Sequence, residues 1–272
     1  MPTVAEKVKA FRALHKRGAP FVIPNPWDAG SARILEGLGF KALATTSSGF
    51  AMTLGRHDYG VSREEALDHG RRVVAAVDIP VSADLENGFG IRPEDAALTV
   101  RLASETGLAG GSIEDTTGDK AKPIIDRTLA VERVAAAVEA ARAAKDGFVL
   151  TARAESFLHG GKDLEEVTNR LKAFEDAGAD VLYAPGLPDM AAVKEVCAAV
   201  SKPVNVLVLF GLRNHTLEEF AEAGAARISI GGGLAWSAYG MLAESTRMLR
   251  DGTFAFLNEG GERSKKIAPH LR

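Results

Sequence analysis

The chain has very little cysteine, since Cys197 is the only one among 272 residues. A single cysteine excludes an internal disulfide framework and is typical of a reducing compartment, so we expect a cytoplasmic protein. The chain also lacks any run of about 20 uninterrupted apolar residues, which argues against a membrane-spanning helix. At the N-terminus, Val4, Val8, Phe11 and Leu14 recur at helical spacing and predict a first amphipathic helix rather than a targeting peptide.

A strong charge of either sign is absent too. The 33 Lys and Arg residues nearly balance the 36 Asp and Glu residues, and the formal net charge is -3. Outside the C-terminal tail no basic run is longer than a pair, so we expect no nucleic-acid partner. The six histidines show no paired metal-ligand spacing, which argues against a zinc site. What remains, 46% hydrophobic and 25% charged residues, is typical of a globular protein with a large core.

Short β-rich segments alternate regularly with longer helical patterns. The candidate strands are residues 21–25, 42–48, 80–86, 110–116, 148–156, 181–186, 204–209 and 227–232. Helix start signals lie between them, with capping-box spacing at Ser62 and Glu65 and at Thr216 and Glu219. Eight strand–helix repeats without a linker predict an α/β protein with a single (β/α)8 TIM barrel and an additional N-terminal helix.

The alternative to a barrel is an open, doubly wound parallel sheet. That fold would require a glycine-rich phosphate turn after the first strand, where this chain reads PNPWDAGSA. We therefore expect a catalytic barrel domain over residues 1–253. Residues 254–272 are polar and glycine-rich, and they predict a poorly ordered C-terminal tail.

Acidic residues follow three consecutive predicted strands, at the end of a barrel where catalytic groups lie. The groups at these strand ends are Asp84 and Glu86, then Glu114 or Asp115, then Arg153 with Glu155. Asp84 and Glu86 stand two apart, so an extended strand would point them to the same side. Carboxylate oxygens without cysteine or histidine are suited to a hard cation that keeps several waters, and Mg²⁺ is the usual occupant. The alternative is that these acids cap helices or form a solvated rim paired with Arg153.

Four segments carry a resemblance to a known family: ALATTSSGFAMTLGRHDYGVS, SADLENGFG, GGSIEDTTGD and TARAESF. They resemble the corresponding segments of the isocitrate lyase and phosphoenolpyruvate mutase superfamily, and the similarity runs from about Phe11 to about Leu249. The chain is most similar to short members labelled phosphonomutase-like. The resemblance implies a Mg²⁺-dependent barrel enzyme that cleaves or forms a C–C or P–C bond in small oxo or hydroxy carboxylates. It also implies a homotetramer, a dimer of dimers, with the last helix exchanged between subunits.

The resemblance further implies roles for individual residues. Asp84 and Glu86 match the metal-binding pair, and Glu114 matches the acid that completes the metal shell, mainly through water. The implied chemistry is metal polarisation of an oxo group, which stabilises the enolate left by bond cleavage.

On the substrate side, Arg153 matches the arginine that binds the substrate carboxylate, a role that suits its planar guanidinium. Thr46, Ser47 and Ser48 match the loop that binds the other end of the substrate, and Asp58 matches an aspartate beside that loop. The implied catalytic residues are thus Asp58, Glu114 and Arg153.

The chain departs from this family in its acid–base residues. Lyases of the superfamily carry a cysteine and a histidine in the loop after the fourth strand, which here reads TTGDKAKPII. Cys197 falls among the apolar positions of a predicted helix and cannot replace that cysteine. Pro185 stands where relatives have a glutamate or histidine, and the seventh strand is mostly apolar. We therefore expect C–C cleavage that needs chiefly an electron sink, such as decarboxylation or retro-aldol cleavage of a small oxo acid.

Two other functions remain open at this stage, a phosphonate enzyme (mutase or P–C hydrolase) and a non-catalytic barrel that binds dicarboxylates. The glycines of SIGGGLAW could bind phosphate at the last helix or could serve close packing. His57 and His159, in predicted loops, and Trp27, after the first strand, are further candidates for the pocket. Lys120 and Lys122 could gate it.

Overall fold

The computed structural model describes residues 2–271, and eight parallel strands form its centre. They are β1 (Phe21–Val22), β2 (Leu43–Ala44), β3 (Val81–Asp84), β4 (Gly110–Glu114), β5 (Val149–Arg153), β6 (Val181–Tyr183), β7 (Val204–Leu207) and β8 (Arg227–Ser229). All eight predicted strands are present, each shorter than predicted at its C-terminal end. The order in the sheet is β1-β8-β7-β6-β5-β4-β3-β2.

The two outer strands of that order also lie next to each other. The backbone N–H of Ala44 donates to the Pro24 carbonyl at 3.1 Å, and the Asn25 side-chain amide donates to the Ala44 carbonyl at 3.0 Å. The sheet is therefore curled so that its edges meet, as in a TIM-like barrel. A doubly wound sheet would instead have a point where the strand order reverses, and this sheet has none among residues 2–271.

Helices alternate with the strands, and most of them pack on the outside of the sheet. They are α1 (Val4–Leu14), α2 (Ala29–Gly37), α3 (Ser47–Thr53), α4 (Arg63–Ala76), α5 (Pro93–Ser104), α6 (Arg127–Ala143), α7 (Leu164–Asp176), α8 (Met190–Ala199), α9 (Leu217–Glu222), α10 (Gly233–Arg250) and α11 (Phe256–Ile267). The two predicted helix N-termini are confirmed, because Ser62 and Thr216 form capping boxes with Glu65 and Glu219. Most of the buried apolar residues lie between these helices and the sheet.

Helix α1 closes the N-terminal end of the barrel. Its Val8 and Phe11 are buried in a separate apolar cluster with Val149 and Val181, the first residues of β5 and β6. Because this end is filled, the cavity that the molecule offers to a ligand is at the opposite end, where the strands run into the loops that precede the helices.

The prediction of a poorly ordered tail is wrong over most of its length, because residues 256–267 form α11. Two salt bridges within the helix, Arg263–Glu259 at 2.6 Å and Lys265–Glu262 at 2.7 Å, connect side chains one turn apart and favour helix in this polar sequence. Among residues 2–271, no helix combines the length and the apolar character that crossing a bilayer requires.

Candidate active site

A cavity of about 900 Å³ opens at the C-terminal ends of the strands. The residues predicted from the sequence that line it are Thr46, Ser47, Ser48, Asp58, Asp84, Glu114 and Arg153. The eighth, Glu86, lies in a small adjoining pocket that also contacts Asp84. The fold thus brings together side chains that are up to about a hundred residues apart in the chain, as expected at this end of a barrel.

Arg153 is the centre of the site. Its Nη1 lies 3.0 Å from carboxylate oxygens of both Asp84 and Glu114, and its Nε donates to Glu155 at 2.7 Å. The guanidinium carbon is 4.8 Å from the centre of the Tyr183 ring, so the ring supports the cation from one face. One guanidinium therefore contacts three carboxylates and is held in a single orientation at the cavity wall.

Asp84 ends β3 and is held by the start of α3. The backbone N–H and the hydroxyl of Ser47 both donate to Asp84 Oδ2, at 3.1 and 3.0 Å. The predicted second strand, which ran to residue 48, is wrong at this point, because Thr46 is the N-cap of α3 and Ser47 begins the helix. The hydroxyls of Thr46 and Ser48 lie 3.1 Å apart beside it, so the predicted substrate loop is a helix N-terminus lined with hydroxyl groups.

The backbone at Glu86 is not extended. The prediction that the side chains of Asp84 and Glu86 point to the same side of an extended strand is therefore wrong. The strand ends at Asp84, and Glu86 has φ 48°, which turns its side chain into the adjoining pocket beside Phe50 and His69. The carboxylate is 4% exposed and its Oε1 has no hydrogen-bond partner among the described residues. Burial, and then the negative charge of Asp84, raise the pKa of Glu86 to about 9.

Glu114, rather than Asp115, faces the cavity. Its Oε2 accepts hydrogen bonds from the Tyr59 hydroxyl at 2.6 Å and from the Thr116 hydroxyl at 3.1 Å. Burial raises the pKa of Glu114. Asp115 points away from the cavity, where it lies 3.3 Å from Arg170 of α7, and burial raises its pKa to about 6. The sequence left these two acids as alternatives, and Glu114 is the one that lines the cavity.

Asp58 lies at the exposed rim of the cavity. Partial desolvation, and then the charge of Asp84, raise its pKa. With Asp84, Glu86, Glu114 and Glu155, the site thus holds five carboxyl groups around one arginine, Arg153, and their mutual repulsion contributes to the raised pKa values of Asp58 and Glu86.

These residues fit a hydrated divalent cation better than a directly chelated one. Within residues 2–271 no three histidine, cysteine or acidic side chains lie close enough together to ligate one metal ion. The prediction that Asp84, Glu86 and Glu114 hold the metal therefore requires that some contacts pass through water, as Mg²⁺ sites commonly do. The excess of carboxylates and the unpartnered Oε1 of Glu86 are what such a cation would satisfy.

Comparison with known proteins places the chain in a family. The model of the phosphoenolpyruvate phosphomutase family matches residues 11–250. The chain belongs to the isocitrate lyase and phosphoenolpyruvate mutase superfamily. The prediction made from the four sequence segments is thereby confirmed, and so is the expectation of an enzyme of the lyases in this superfamily.

Individual members of the superfamily are similar over most of the chain. A crystal structure from Burkholderia cenocepacia J2315, described only as a candidate lyase or mutase, is 52% identical, with a TM-score of 0.90 over 94% of this chain and 92% of that one. The oxaloacetate decarboxylase of Paraburkholderia xenovorans LB400 is 32% identical over 89% of this chain and 81% of its own length. Oxaloacetate acetylhydrolase in complex with its product oxalate is 29% identical, with a TM-score of 0.81, and the match covers 92% and 89% of the two chains.

Several cavity residues were missed by reasoning from the superfamily's motifs. They are Tyr59, Tyr183, Asn205, Arg213, Arg227 and Trp236. Arg227 is buried on β8 and donates to Asn205, Thr151 and His15, all of them neutral groups. A signal for Asn205 was present in the sequence, because it is the one polar residue of β7, whereas Arg227 shares the short strand β8 with Ser229. Tyr59 had no such signal.

Some of the other pocket candidates named in the sequence analysis line the cavity, and others do not. His159 and the glycines Gly231, Gly232 and Gly233 line the cavity, whereas His57, Trp27, Lys120 and Lys122 are not among its lining residues. A side chain at Gly232 would come within 2.6 Å of the Ser48 hydroxyl, so close packing requires a glycine there. Cys197 is buried in α8 at 1% exposure, as predicted from its apolar neighbours.

Proposed function

We propose that the protein is a Mg²⁺-dependent lyase that cleaves a C–C bond of a small oxo or hydroxy carboxylate, by decarboxylation or retro-aldol cleavage. The observation that carries the proposal is the acidic cluster around Arg153, in which one buried guanidinium contacts Asp84, Glu114 and Glu155 at the wall of a large cavity. Charge clusters of this kind, at the C-terminal ends of barrel strands, are typical of catalytic sites.

The residues that would hold the cation are Asp84, Glu86 and Glu114. When bound, Mg²⁺ supplies Lewis-acid polarisation of an oxo group and stabilisation of an enolate. Asp84 is aimed into the cavity by Ser47 and Arg153, and Glu114 by Tyr59 and Thr116. These partners fix the carboxylate orientations before any ligand arrives, which is the condition for electrostatic stabilisation at little reorganisation cost.

Arg153 binds the substrate carboxylate in this proposal. Its guanidinium is held by Glu155 and by the ring of Tyr183, so it is oriented in advance. The hydroxyls of Thr46, Ser47 and Ser48 bind the other end of the substrate. Relatives named for oxaloacetate support a four-carbon oxo acid as the first substrate to test.

The reaction type follows from what the loop after β4 lacks. Residues 117–122 contain neither cysteine nor histidine, and their lysines do not line the cavity. Without a dedicated proton donor on that loop, the site favours reactions whose main demand is stabilisation of the electrons released by bond cleavage. Decarboxylation of an oxo acid is such a reaction.

A panel assay tests the proposal. Oxaloacetate, other 2-oxo and 2-hydroxy acids, and phosphonopyruvate are each incubated with the protein and Mg²⁺, and consumption of each substrate is measured, with identification of its products, against EDTA-treated protein and Asp84→Asn. We expect metal-dependent turnover of at least one oxo acid and a loss of more than about 100-fold in Asp84→Asn. Absence of turnover across the panel, with binding of dicarboxylates retained, would favour a non-catalytic binding barrel instead.

A phosphonate enzyme is the second candidate. It is supported by Asp58 and by the hydroxyl groups of Thr46, Ser47 and Ser48, which line the cavity together and could bind phosphonate oxygens. Turnover of phosphonopyruvate alone in the panel would establish this function and overturn the lyase.

A homo-oligomer, arranged as a dimer of dimers with exchange of the last helix, is part of the proposal. It is supported by exposed apolar side chains on α10 and α11, where Trp236, Leu242 and Leu257 are each about 60% exposed. Apolar surface of this extent on adjacent helices is typical of a protein interface.

A further inference from the structure

The loop between β3 and α5, residues 85–92, has an unusual backbone. Glu86, Gly88 and Phe89 have φ values of 48°, 77° and 57°. Positive φ is uncommon for residues other than glycine and persists only where the surroundings impose it. This loop carries Glu86, whose buried Oε1 has no hydrogen-bond partner among the described residues. The interactions that impose the loop conformation therefore also decide where Glu86 points.

Arg133 of α6 is the first of these interactions. Its Nη1 donates to the carbonyls of Gly90 and Arg92, at 2.7 and 3.3 Å, and its Nη2 donates to the carbonyl of Asn87. The side chain is 1% exposed, and it forms no salt bridge within residues 2–271. A buried guanidinium whose hydrogen bonds go to backbone carbonyls of one loop has that loop as its main partner.

Arg63 of α4 binds the same loop from the other side. Its Nη2 lies 3.3 Å from the carbonyls of both Gly88 and Phe89, and its Nε donates to the Thr99 hydroxyl at 2.8 Å. That hydroxyl in turn donates to the Gly88 carbonyl at 2.7 Å. Between them the two arginines bind five carbonyls of the loop, those of Asn87, Gly88, Phe89, Gly90 and Arg92.

We propose that Arg63 and Arg133 are positioning residues for the cation site, acting through the β3–α5 loop on Glu86. The loop is tied to the site at its other end too, because the backbone N–H of Glu114 donates to the Glu86 carbonyl at 2.9 Å. Release of the carbonyls would let residues 86–89 relax toward negative φ, which would turn Glu86 away from Asp84. The inference rests on the proposed function, because it assumes that the acidic cluster binds Mg²⁺.

The test is Mg²⁺ affinity, measured by calorimetry on metal-free protein without substrate. Arg63→Met and Arg133→Met keep side-chain length and remove the donors. Arg17→Met is the matched control, because Arg17 also donates to two backbone carbonyls, those of Cys197 and Val200, but far from the cavity. We expect both loop variants to bind Mg²⁺ about 10–100-fold more weakly, as is typical when groups that orient metal ligands are removed. Arg17→Met should keep wild-type affinity.

A purely structural role predicts another pattern, in which all three variants lose thermal stability and those that fold keep wild-type Mg²⁺ affinity. That outcome overturns the inference. Because Arg63 is only half-buried, Arg63→Met should fold, and its Mg²⁺ affinity decides the question if Arg133→Met does not fold. Arg133→Lys should restore part of the affinity, and hydrogen exchange should be faster at residues 86–92 in the Met variants. Absence of Mg²⁺ binding by the wild type would instead overturn the proposed function itself, and the inference with it.

Discussion

Ser47 donates two hydrogen bonds to one oxygen of Asp84, through its backbone N–H at 3.1 Å and its hydroxyl at 3.0 Å. The other oxygen of Asp84 accepts from Arg153 at 3.0 Å. Hydrogen bonds from Ser47 on one side and from a guanidinium on the other hold the carboxylate in one orientation. The start of α3 thus holds the side chain at the end of β3, and two of the four segments that carry the family resemblance meet at this contact.

Asp84→Asn should abolish the stabilisation that Mg²⁺ gives to the wild type. Asparagine keeps the size of the side chain but loses the charge that a hard cation requires. Bound at 100 times its dissociation constant, Mg²⁺ should stabilise the wild type by about 2.7 kcal/mol. Thermal melts with and without Mg²⁺ measure the effect. Without metal, Asp84→Asn should be less stable by about 1–3 kcal/mol, because its charge-assisted hydrogen bonds are weakened.

The matched control for that experiment is Asp68→Asn. Asp68 forms a salt bridge with Arg72 at 2.7 Å on the exposed surface of α4. Exposed pairs of this kind contribute about 0–1 kcal/mol, so its melts should resemble those of the wild type in both conditions. An Asp84→Asn protein that still gains stability from Mg²⁺ as the wild type does would show that Asp84 is part of the scaffold.

Tyr59→Phe tests the support of Glu114. The variant removes the hydroxyl that donates to Glu114 at 2.6 Å and leaves Thr116 as the remaining hydroxyl donor to that oxygen. We expect the free energy of unfolding to fall by about 1 kcal/mol. Turnover should fall by about 10–100-fold, because Glu114 is less well oriented. Tyr239→Phe, outside the cavity lining, is the control; equal turnover in the two variants would contradict a role for Tyr59.

The sequence was sufficient for the eight strands and for the place of Asp84, Glu114 and Arg153 at the cavity, because apolar periodicity and charged residues at strand ends are local signals. The sequence was not sufficient to predict the backbone conformation of Glu86, since the bend after Asp84 depends on Arg63 and Arg133, which are distant in the chain. Extended geometry was the natural expectation for Glu86, and the positive φ overturned it. The tail was misjudged for a different reason, because the polar composition was given more weight than the local charge pairs that favour helix in α11.

Lys120→Ala and Lys122→Ala should leave turnover within about threefold of the wild type, since exposed lysines outside the site contribute little. Neither lysine lines the cavity, and both lie on the exposed part of the loop after β4. Steady-state kinetics on the best acid of the panel measure the effect. A loss of turnover above about 100-fold in either variant would mean that this loop closes over the cavity and supplies a catalytic group.

Leu242→Glu and Leu257→Glu test the proposed assembly. Both side chains are about 60% exposed in the single chain, and burial of such side chains stabilises an interface by about 1.5–3 kcal/mol each. The wild type should have the mass of a tetramer by light scattering, and the double variant should have the mass of a smaller species. Leu38→Glu is the control, since Leu38 is equally exposed but lies at the end of α2. A monomeric wild type would contradict the assembly.

We expect the protein to lose stability as the pH falls, because His15 is buried in its neutral form. Its Nδ1 lies 2.8 Å from the Phe11 carbonyl and its Nε2 lies 3.2 Å from Nη1 of Arg227. Because Arg227 can only donate, Nε2 accepts and the proton is on Nδ1, so the ring is neutral. Burial, and then the charge of Arg227, lower the pKa of His15 to about 3.

The sign of the pH dependence follows from that lowered pKa. Between pH 6.5 and pH 3 the unfolded chain binds a proton at His15 that the folded protein does not, so the stability present above pH 6.5 is lost as the pH falls. The loss approaches about 1.4 kcal/mol per pH unit. Urea unfolding of the wild type and His15→Gln from pH 8 to pH 4 measures it, and the difference between the two proteins cancels the titration of buried acids. The stability difference should shift in favour of His15→Gln as the pH falls. Parallel curves for the two proteins would show that folding does not change the pKa of His15.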